Sequence, residues 1–171
     1  MDQQSVVRAR ETRSDAYAAA QLNLAPLAPL FYLERLRLAG GEPLALDRVW
    51  MPHDVGSALL EVDFSHTALY DELFARTGLR LTMGRERIRA VVANAQDRAL
   101  LASGPDEAAL AIDRLAYAHE EPVEWRQTLI RGDRFSLVAE FSARAGYHFD
   151  LSDASALSSS FAQVTAPTPD A

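Results

Sequence analysis

The pattern of hydrophobic and polar positions along the chain predicts a protein made mainly of β-strands. Most of the predicted strands are runs of alternating or continuous apolar residues, and turn residues lie at their ends. Gly40-Gly41 separates two of them and supplies the positive φ angles that a tight hairpin needs. The predicted strands are Ser5–Thr12, Phe31–Leu38, Leu44–Trp50, Leu81–Ala93, Ala109–Tyr117, Val123–Arg131 and Phe135–Phe141.

Helical segments lie between the strands. Ser14 and Asp15 form a good N-cap for a helix over Asp15–Leu22, and Asn94 caps a second helix over Ala95–Leu101. A longer stretch, interrupted near Asp63–Thr67, has apolar residues at helical spacing and ends before Gly78. Its apolar positions are Leu59, Leu60, Leu69, Tyr70, Leu73 and Phe74.

The chain contains an internal repeat. Leu33-Glu34-Arg35-Leu36 matches Ile112-Asp113-Arg114-Leu115, and Glu42-Pro43 matches Glu121-Pro122, at the same offset of 79 residues (112 minus 33) without a gap. Two such halves predict pseudo-two-fold packing in which the strands of both halves join in a mainly antiparallel sheet. Chance similarity between short strands is the alternative.

The differences between the two copies indicate where function lies. Arg35 has its counterpart in Arg114, whereas Arg37 corresponds to Ala116 and Glu124 to Ala45. We interpret residues shared by both halves as requirements of the fold. Residues present in only one half are better candidates for function.

Composition limits the classes of protein that fit. The chain has 171 residues, of which 49% are hydrophobic and 24% charged, so it can bury a core. We expect one domain over residues 1–142 and a flexible, Ser-, Ala- and Pro-rich tail over residues 143–171. No apolar run is long enough for a membrane span, and no secretory signal is visible at the start.

Charge and residue usage narrow the function further. All 17 basic residues are arginine, and the net charge of −7 disfavours binding of nucleic acid by this chain. The absence of cysteine excludes disulfides and thiolate sites, and it suits a cytoplasmic protein. The four histidines are scattered without metal-ligand spacing, and no phosphate-binding or dinucleotide-binding glycine motif is present. We therefore expect neither a metal nor a cofactor.

Two arginines on one predicted strand form the strongest candidate site. Arg35 and Arg37 are two residues apart, so both side chains leave the same face of the sheet, together with Phe31 and Leu33. Two guanidinium groups beside apolar side chains favour a bound phosphate or carboxylate. The alternative is a solvent-exposed face with two arginines that bind nothing.

Acidic and polar residues on the neighbouring strands extend this site. Glu124, Arg126 and Thr128 share one face of their strand and could bind a polar ligand. Asp47 is the obvious counter-ion of the arginines. A two-residue turn pairs Asp47 with Glu34, on the opposite face from Arg35, whereas one additional residue pairs it with Arg35. The sequence leaves both registers open.

Longer stretches of the sequence resemble a known family. The segments LERLRLAGGEPLALDRVWMP, HTALYDELFARTGL and EEPVEWRQTLIRGDRFSLVAEF are similar to the UTRA domain, the effector-binding domain of HutC-type regulators in the GntR family. The resemblance covers Val6 to Phe141. It implies a chorismate-lyase-like α+β fold that is not an enzyme, binds a small anionic metabolite and forms a homodimer. Operator DNA would be bound through an N-terminal winged helix-turn-helix domain that is absent from this chain.

The resemblance also assigns roles to individual residues. Arg35 and Arg37 correspond to the arginines that bind phosphate or carboxylate, and Asp47 and Glu124 correspond to the acidic residues of the cleft. In this interpretation Tyr70 helps to orient the ligand. Three positions depart from the pattern of phosphosugar-binding members: Ala68 replaces a hydroxyl residue, Ile130 replaces an aromatic residue, and Arg126 replaces a small residue.

Two other functions remain open at this point. A chorismate-lyase-like enzyme could act on an anionic aromatic substrate, although fold alone does not establish activity. A solitary dimerisation module could have lost its ligand.

Overall fold

A computed structural model describes residues 4–143, 146–150 and 164–165 of the chain. The strands are β1 (Gln4–Arg13), β2 (Leu30–Ala39), β3 (Glu42–Pro52), β4 (Met83–Val92), β5 (Ala108–Ala118), β6 (Glu121–Arg131), β7 (Val138–Ser142), β8 (Gly146–Asp150) and β9 (Val164–Thr165). The α-helices are α1 (Ala16–Gln21), α2 (His53–Gly56), α3 (Leu69–Thr77) and α4 (Ala95–Leu101). Short 3-10 turns follow α2 at Ser57–Leu59 and β6 at Gly132–Arg134.

The main sheet is built from two equivalent halves. Its six strands are antiparallel and follow the order β1-β2-β3-β6-β5-β4. Each element from β1 to β3 has a counterpart 79 residues later in β4 to β6, and α1 corresponds in the same way to α4. Arg48 on β3 pairs with Gln127 on β6, its own repeat equivalent, so the pseudo-two-fold axis passes through this pair. The predicted α+β fold with two similar halves is confirmed.

A β-bulge in each half sets the register of the hairpins. In the first half Leu38 pairs with Pro43 but Arg37 pairs with Ala45, so Leu44 is an additional residue. This bulge places Asp47 opposite Arg35 even though the turn is the two-residue Gly40-Gly41. Proline before the bulge donates no hydrogen bond to the ladder, which suits a position where pairing is interrupted.

The helical segments begin and end close to the predicted residues. Asp15 accepts a hydrogen bond from the backbone N–H of Ala18, and Asn94 accepts one from that of Asp97, so both predicted N-caps are confirmed. Gly78 ends α3 with φ of 72°. The strand predicted over Phe135–Phe141 is shorter and begins later, because Phe135 is buried in a connecting segment before β7.

The described parts of the predicted tail are Ala143, which lies in a turn, and two strands. β8 pairs with β7 and β9 pairs with β8 in a second, three-stranded sheet. The rest of the tail prediction, residues 144–145, 151–163 and 166–171, lies outside the described residues.

The two faces of the main sheet are covered differently. On one face α1 covers a cluster that contains Trp50 and Trp125, whose rings stack 4.6 Å apart. On the other face the connection from α2 to α3 covers β2 and β3, and its Leu59 and Phe64 are fully buried. No helix in the described part of the chain is long and apolar enough to cross a membrane.

The end of α4 provides a stability prediction. Ala102 adopts a left-handed conformation with φ of 52°, and its repeat equivalent is Asn23 with φ of 56°. Glycine adopts this conformation without the steric cost that Ala102 incurs, so Ala102→Gly should raise the free energy of unfolding by about 0.5–1 kcal/mol. Urea denaturation measures this change. Ala99→Gly, inside the same helix, should instead lower stability, and a destabilising Ala102→Gly would contradict the assignment.

Candidate functional site

A partly open cavity lies between the start of α3 and the face of the main sheet. Its volume is about 210 Å³. Strands β1, β2 and β6 supply its floor, and the segment before α3 supplies its wall. The lining residues are Ser5, Arg35, Arg37, Ser65, His66, Thr67, Ala68, Leu69, Tyr70, Asp71 and Arg126.

Arg35 and Arg37 form the floor of the cavity. β2 is an inner strand, so both side chains are held under the covering segment and are only 5% and 8% exposed. The guanidinium of Arg35 lies 5.5 Å from the centre of the Phe64 ring, and the backbone of Arg37 pairs with that of Ser5. The predicted shared face of the two arginines is confirmed, and the alternative of a solvent-exposed face is wrong.

Asp47 lies beneath these two arginines as their internal counter-ion. Its Oδ2 is 3.5 Å from Arg35 Nη2 and 3.7 Å from Arg37 Nη1, and its Oδ1 accepts a 2.7 Å hydrogen bond from Thr128. Burial alone raises the pKa of a carboxyl group, but Arg37, Arg126 and Arg35 together lower the pKa of Asp47. Arg35 Nε and Asp47 Oδ2 are buried without a hydrogen-bond partner.

A second ion pair lies within β6, between Arg126 and Glu124, and Tyr70 at the start of α3 is hydrogen-bonded to it. Arg126 donates to both oxygens of Glu124, from Nε at 2.9 Å and from Nη2 at 3.2 Å. The Tyr70 hydroxyl donates to Glu124 Oε1 at 2.9 Å, and its ring faces the Arg126 guanidinium at 5.0 Å. Burial and the nearby Glu124 carboxylate raise the pKa of Tyr70. Tyr70 therefore fixes the start of α3 against the sheet.

Arg114 belongs to the same network, although the sequence argument did not select it. Its Nη1 donates to the Tyr70 hydroxyl at 3.0 Å, and its Nε donates to Glu86 on β4 at 2.6 Å. Arg114 is the repeat equivalent of Arg35. From the sequence, residues shared by both halves are interpreted as requirements of the fold, and for that reason Arg114 is not among the predicted site residues. The repeat itself was the signal that could have found it, because symmetric positions near the axis converge on one site.

The buried charges of the site do not cancel. The network contains four buried guanidiniums and three carboxylates, so one positive charge is left over. The cations are Arg35, Arg37, Arg114 and Arg126, and the anions are Asp47, Glu124 and the part-buried Glu86. Burial lowers the pKa of Arg35 to about 10, with Arg126 and Arg37 acting in the same direction and Asp47 opposing them. The group stays cationic at neutral pH, and its charge is costly without an anion.

The start of α3 contributes hydrogen-bond donors to the cavity, and its first turn also carries the acidic residues Asp71 and Glu72. Ala68 is the N-cap and supplies no side-chain hydrogen bond, while the first helical residues line the cavity. The free N–H groups of a first helical turn, and the helix dipole, both favour an anion. The site can therefore hold a carboxylate or phosphate oxygen.

The structure brings all seven predicted site residues together in one network. Arg35, Arg37, Tyr70 and Arg126 line the cavity. The other three predicted residues do not line the cavity. They lie behind the lining residues and bind their side chains or one another: Asp47, Glu124 and Thr128. Sequence reasoning missed Ser5, Ser65 and Thr67, which carry no distinguishing pattern and reach the cavity only through tertiary packing.

Metal binding has no support in the described residues, since no group of three His, Cys, Asp or Glu side chains among them could hold an ion.

Comparison with protein families gives one match over most of the chain. The model of the UTRA domain matches residues 3–136. A curated relative, the HTH-type transcriptional regulator GmuR of Bacillus subtilis (strain 168), is 25% identical over 122 residues. That match covers 71% of this chain and 51% of the relative, so the chain spans about half the length of the regulator.

Solved structures share the fold. The C-terminal domain of the histidine utilization repressor from Pseudomonas syringae pv. tomato str. DC3000 has a TM-score of 0.76 at 20% identity, over 82% of this chain and 99% of that one. The effector domain of PhnF from Mycobacterium smegmatis has a TM-score of 0.76 at 25% identity, over 83% and 88% of the two chains. PhnF in its longer form matches over 64% of its own length.

Proposed function

Because this chain belongs to the UTRA domain family, we propose that its cavity binds a small anionic metabolite, either a carboxylate or a phosphorylated sugar. Its relatives are effector domains and regulators of transcription, so the role is regulatory rather than enzymatic. The bound metabolite changes the placement of a DNA-binding domain elsewhere in a longer protein.

One observation carries this proposal. The cavity has a floor of buried arginines whose charge exceeds that of the buried carboxylates, and one of these arginines has an unpartnered, buried Nε. Buried charges in proteins are paired, so a site with one surplus positive charge favours an anionic occupant. A cavity volume of about 210 Å³ suits a small molecule rather than a macromolecule.

The network assigns different tasks to the predicted residues. Arg35 and Arg37 bind the anionic group. Arg126, also in the floor, and Tyr70, in the wall, contact the body of the ligand. Asp47, Glu124 and Thr128 act behind them, because their polar atoms hold the guanidiniums and the tyrosine hydroxyl in place.

Arg37→Ala should weaken this binding by at least ~1.5 kcal/mol, which is more than tenfold, because a charge-assisted contact is lost. A thermal-shift screen of sugar phosphates, amino acids and organic acids would identify a ligand, since binding raises apparent stability. Calorimetry on both proteins then gives the change in affinity. Arg76→Ala is the matched control, since Arg76 is exposed on α3 and pairs with Glu72. Equal affinities of wild type and Arg37→Ala would exclude this role for Arg37.

The proposed role includes a homodimer and a DNA-binding domain in the same polypeptide. The matched regulator is about twice as long as the aligned region, which supports a DNA-binding domain in the same polypeptide. With a net charge of −7, the chain itself has no electrostatic attraction for operator DNA. Light scattering coupled to gel filtration tests the dimer, and a monomeric mass at all concentrations would contradict it.

A further inference from the structure

We propose that the first part of β1, Gln4–Val7, responds directly to occupation of the cavity, because Ser5 contacts the bound metabolite from this strand. An occupied cavity holds the β1 start (Gln4–Val7) against the rest of the domain, whereas an empty cavity lets it open. This inference rests on the proposed function and specifies how binding is communicated to the chain that precedes β1.

An interruption in β1 brings Ser5 to the cavity. Arg10 lies on the face of the main sheet that carries the cavity, and strict alternation from Arg10 would place Val6 rather than Ser5 on that face. The register shifts at Arg8, which is an additional residue, so Ser5 instead pairs with Arg37 and shares its face. Bulges of this kind often redirect a side chain beside a functional site.

The second half has neither this interruption nor this side chain. β4 pairs with β5 along its whole length without a shift in register. The repeat equivalent of Ser5 is Gly84, which pairs with Ala116, the equivalent of Arg37. The bulge and the serine are therefore present only in the half whose β2 supplies the floor arginines. This difference favours a functional rather than a structural role for Ser5.

Ser5 joins the floor of the cavity to its wall. Its backbone pairs with that of Arg37 in the floor, and its backbone N–H donates a 2.9 Å hydrogen bond to the carbonyl oxygen of Ser65 in the wall. Ser5 and Ser65 both line the cavity. A metabolite that fills the space between floor and wall therefore meets Ser5, whose hydroxyl can donate to an anionic oxygen.

The β1 start is a part of the sheet that local opening can release. β1 is an edge strand, and Val6 is 49% exposed. Opening of such a segment requires less free energy than global unfolding. When the metabolite is bound, opening breaks its contact with Ser5, so binding makes the open state rarer. In the proposed regulator the DNA-binding domain precedes β1, so this change reaches the chain that joins the two domains.

Amide exchange in the 171-residue chain tests this response. Inorganic phosphate and acetate serve as probes, each at about ten times its measured Kd, and NMR follows the amide signals and exchange rates of β1 and α3. The Ser5 amide should exchange about tenfold more slowly with a bound probe, because the probe must leave before the β1 start opens. The Gly84 amide, at the equivalent position of the edge strand β4, is the control and should keep its exchange rate.

Ser5→Ala tests the contact itself. Loss of a hydrogen bond to a charged group should weaken binding of the probe at least about threefold. Ser14→Ala is the matched control, because its hydroxyl bonds to the carbonyl oxygen of Leu27 outside the cavity, and it should keep the affinity of the wild type. Wild-type affinity in Ser5→Ala would overturn the contact.

The exchange measurement needs only the wild type, so it decides the inference even if Ser5→Ala fails to fold. Probe-dependent shifts in α3 without slower exchange at Ser5 would overturn the inference and leave the proposed function intact. If neither probe changes any amide signal of α3 or β1, the proposed function fails together with the inference.

Discussion

Glu124→Gln should lower the free energy of unfolding by about 3–5 kcal/mol, the cost of leaving one partner of a buried ion pair without its counter-charge. Glu124 is fully buried and accepts two hydrogen bonds from Arg126 and one from Tyr70. Glutamine keeps the shape of the side chain but removes the charge. The cluster would then bury two uncompensated positive charges instead of one.

Urea denaturation of wild type and variant measures this loss. Glu72→Gln is the control, because Glu72 pairs with Arg76 on the partly exposed side of α3, where ion pairs contribute about 0–1 kcal/mol. A loss below about 1 kcal/mol for Glu124→Gln would show that the Arg126 charge is accessible to water, contrary to the buried network.

The second large effect is expected from Gly56→Ala at the end of α2. A Cβ atom at this position would lie 2.4 Å from Cβ and 2.7 Å from Cγ of Phe31, which is fully buried on β2. The Cβ atom of Phe31 is fixed by the backbone and cannot rotate away, so α2 must shift relative to the sheet. Overpacking of this kind costs about 1–3 kcal/mol, and the 2.4 Å approach to the immobile Cβ of Phe31 places Gly56→Ala at the upper end.

Thermal and urea unfolding of Gly56→Ala give this value directly. Ala58→Ser also adds one heavy atom in the adjacent turn but at an exposed position, so its stability should stay within about 0.5 kcal/mol of wild type. If the two variants were equally stable, α2 would not pack against Phe31 as described.

Local sequence signals were sufficient to predict most of the fold. The N-caps at Asp15 and Asn94 and the glycine end of α3 depend on short-range hydrogen bonds and backbone angles, which the residues themselves determine. The repeat fixed the relation between the halves, since similar sequences form the same hairpin twice. The strand after Phe135 was placed too early because one buried aromatic residue does not distinguish a strand from a packed connection.

The candidate site was only partly predictable. The alternation rule correctly placed Arg35 and Arg37 on one face, but the position of Asp47 depended on a bulge. The sequence does contain a signal for this bulge. A proline directly precedes the bulged residue in each half, at Pro43 and Pro122. The involvement of Arg114 and Ser5 depends on how distant strands and the α2–α3 connection pack, and no local pattern encodes that packing.

The most direct test of the account is a crystal structure of the chain with a ligand found by the thermal-shift screen. We predict that the anionic group of the ligand lies between the guanidiniums of Arg35 and Arg37 and the first turn of α3, within about 3 Å of the donor nitrogens. A ligand bound elsewhere, with both arginines still facing only Asp47, would contradict the claim that this cluster is the anion-binding site.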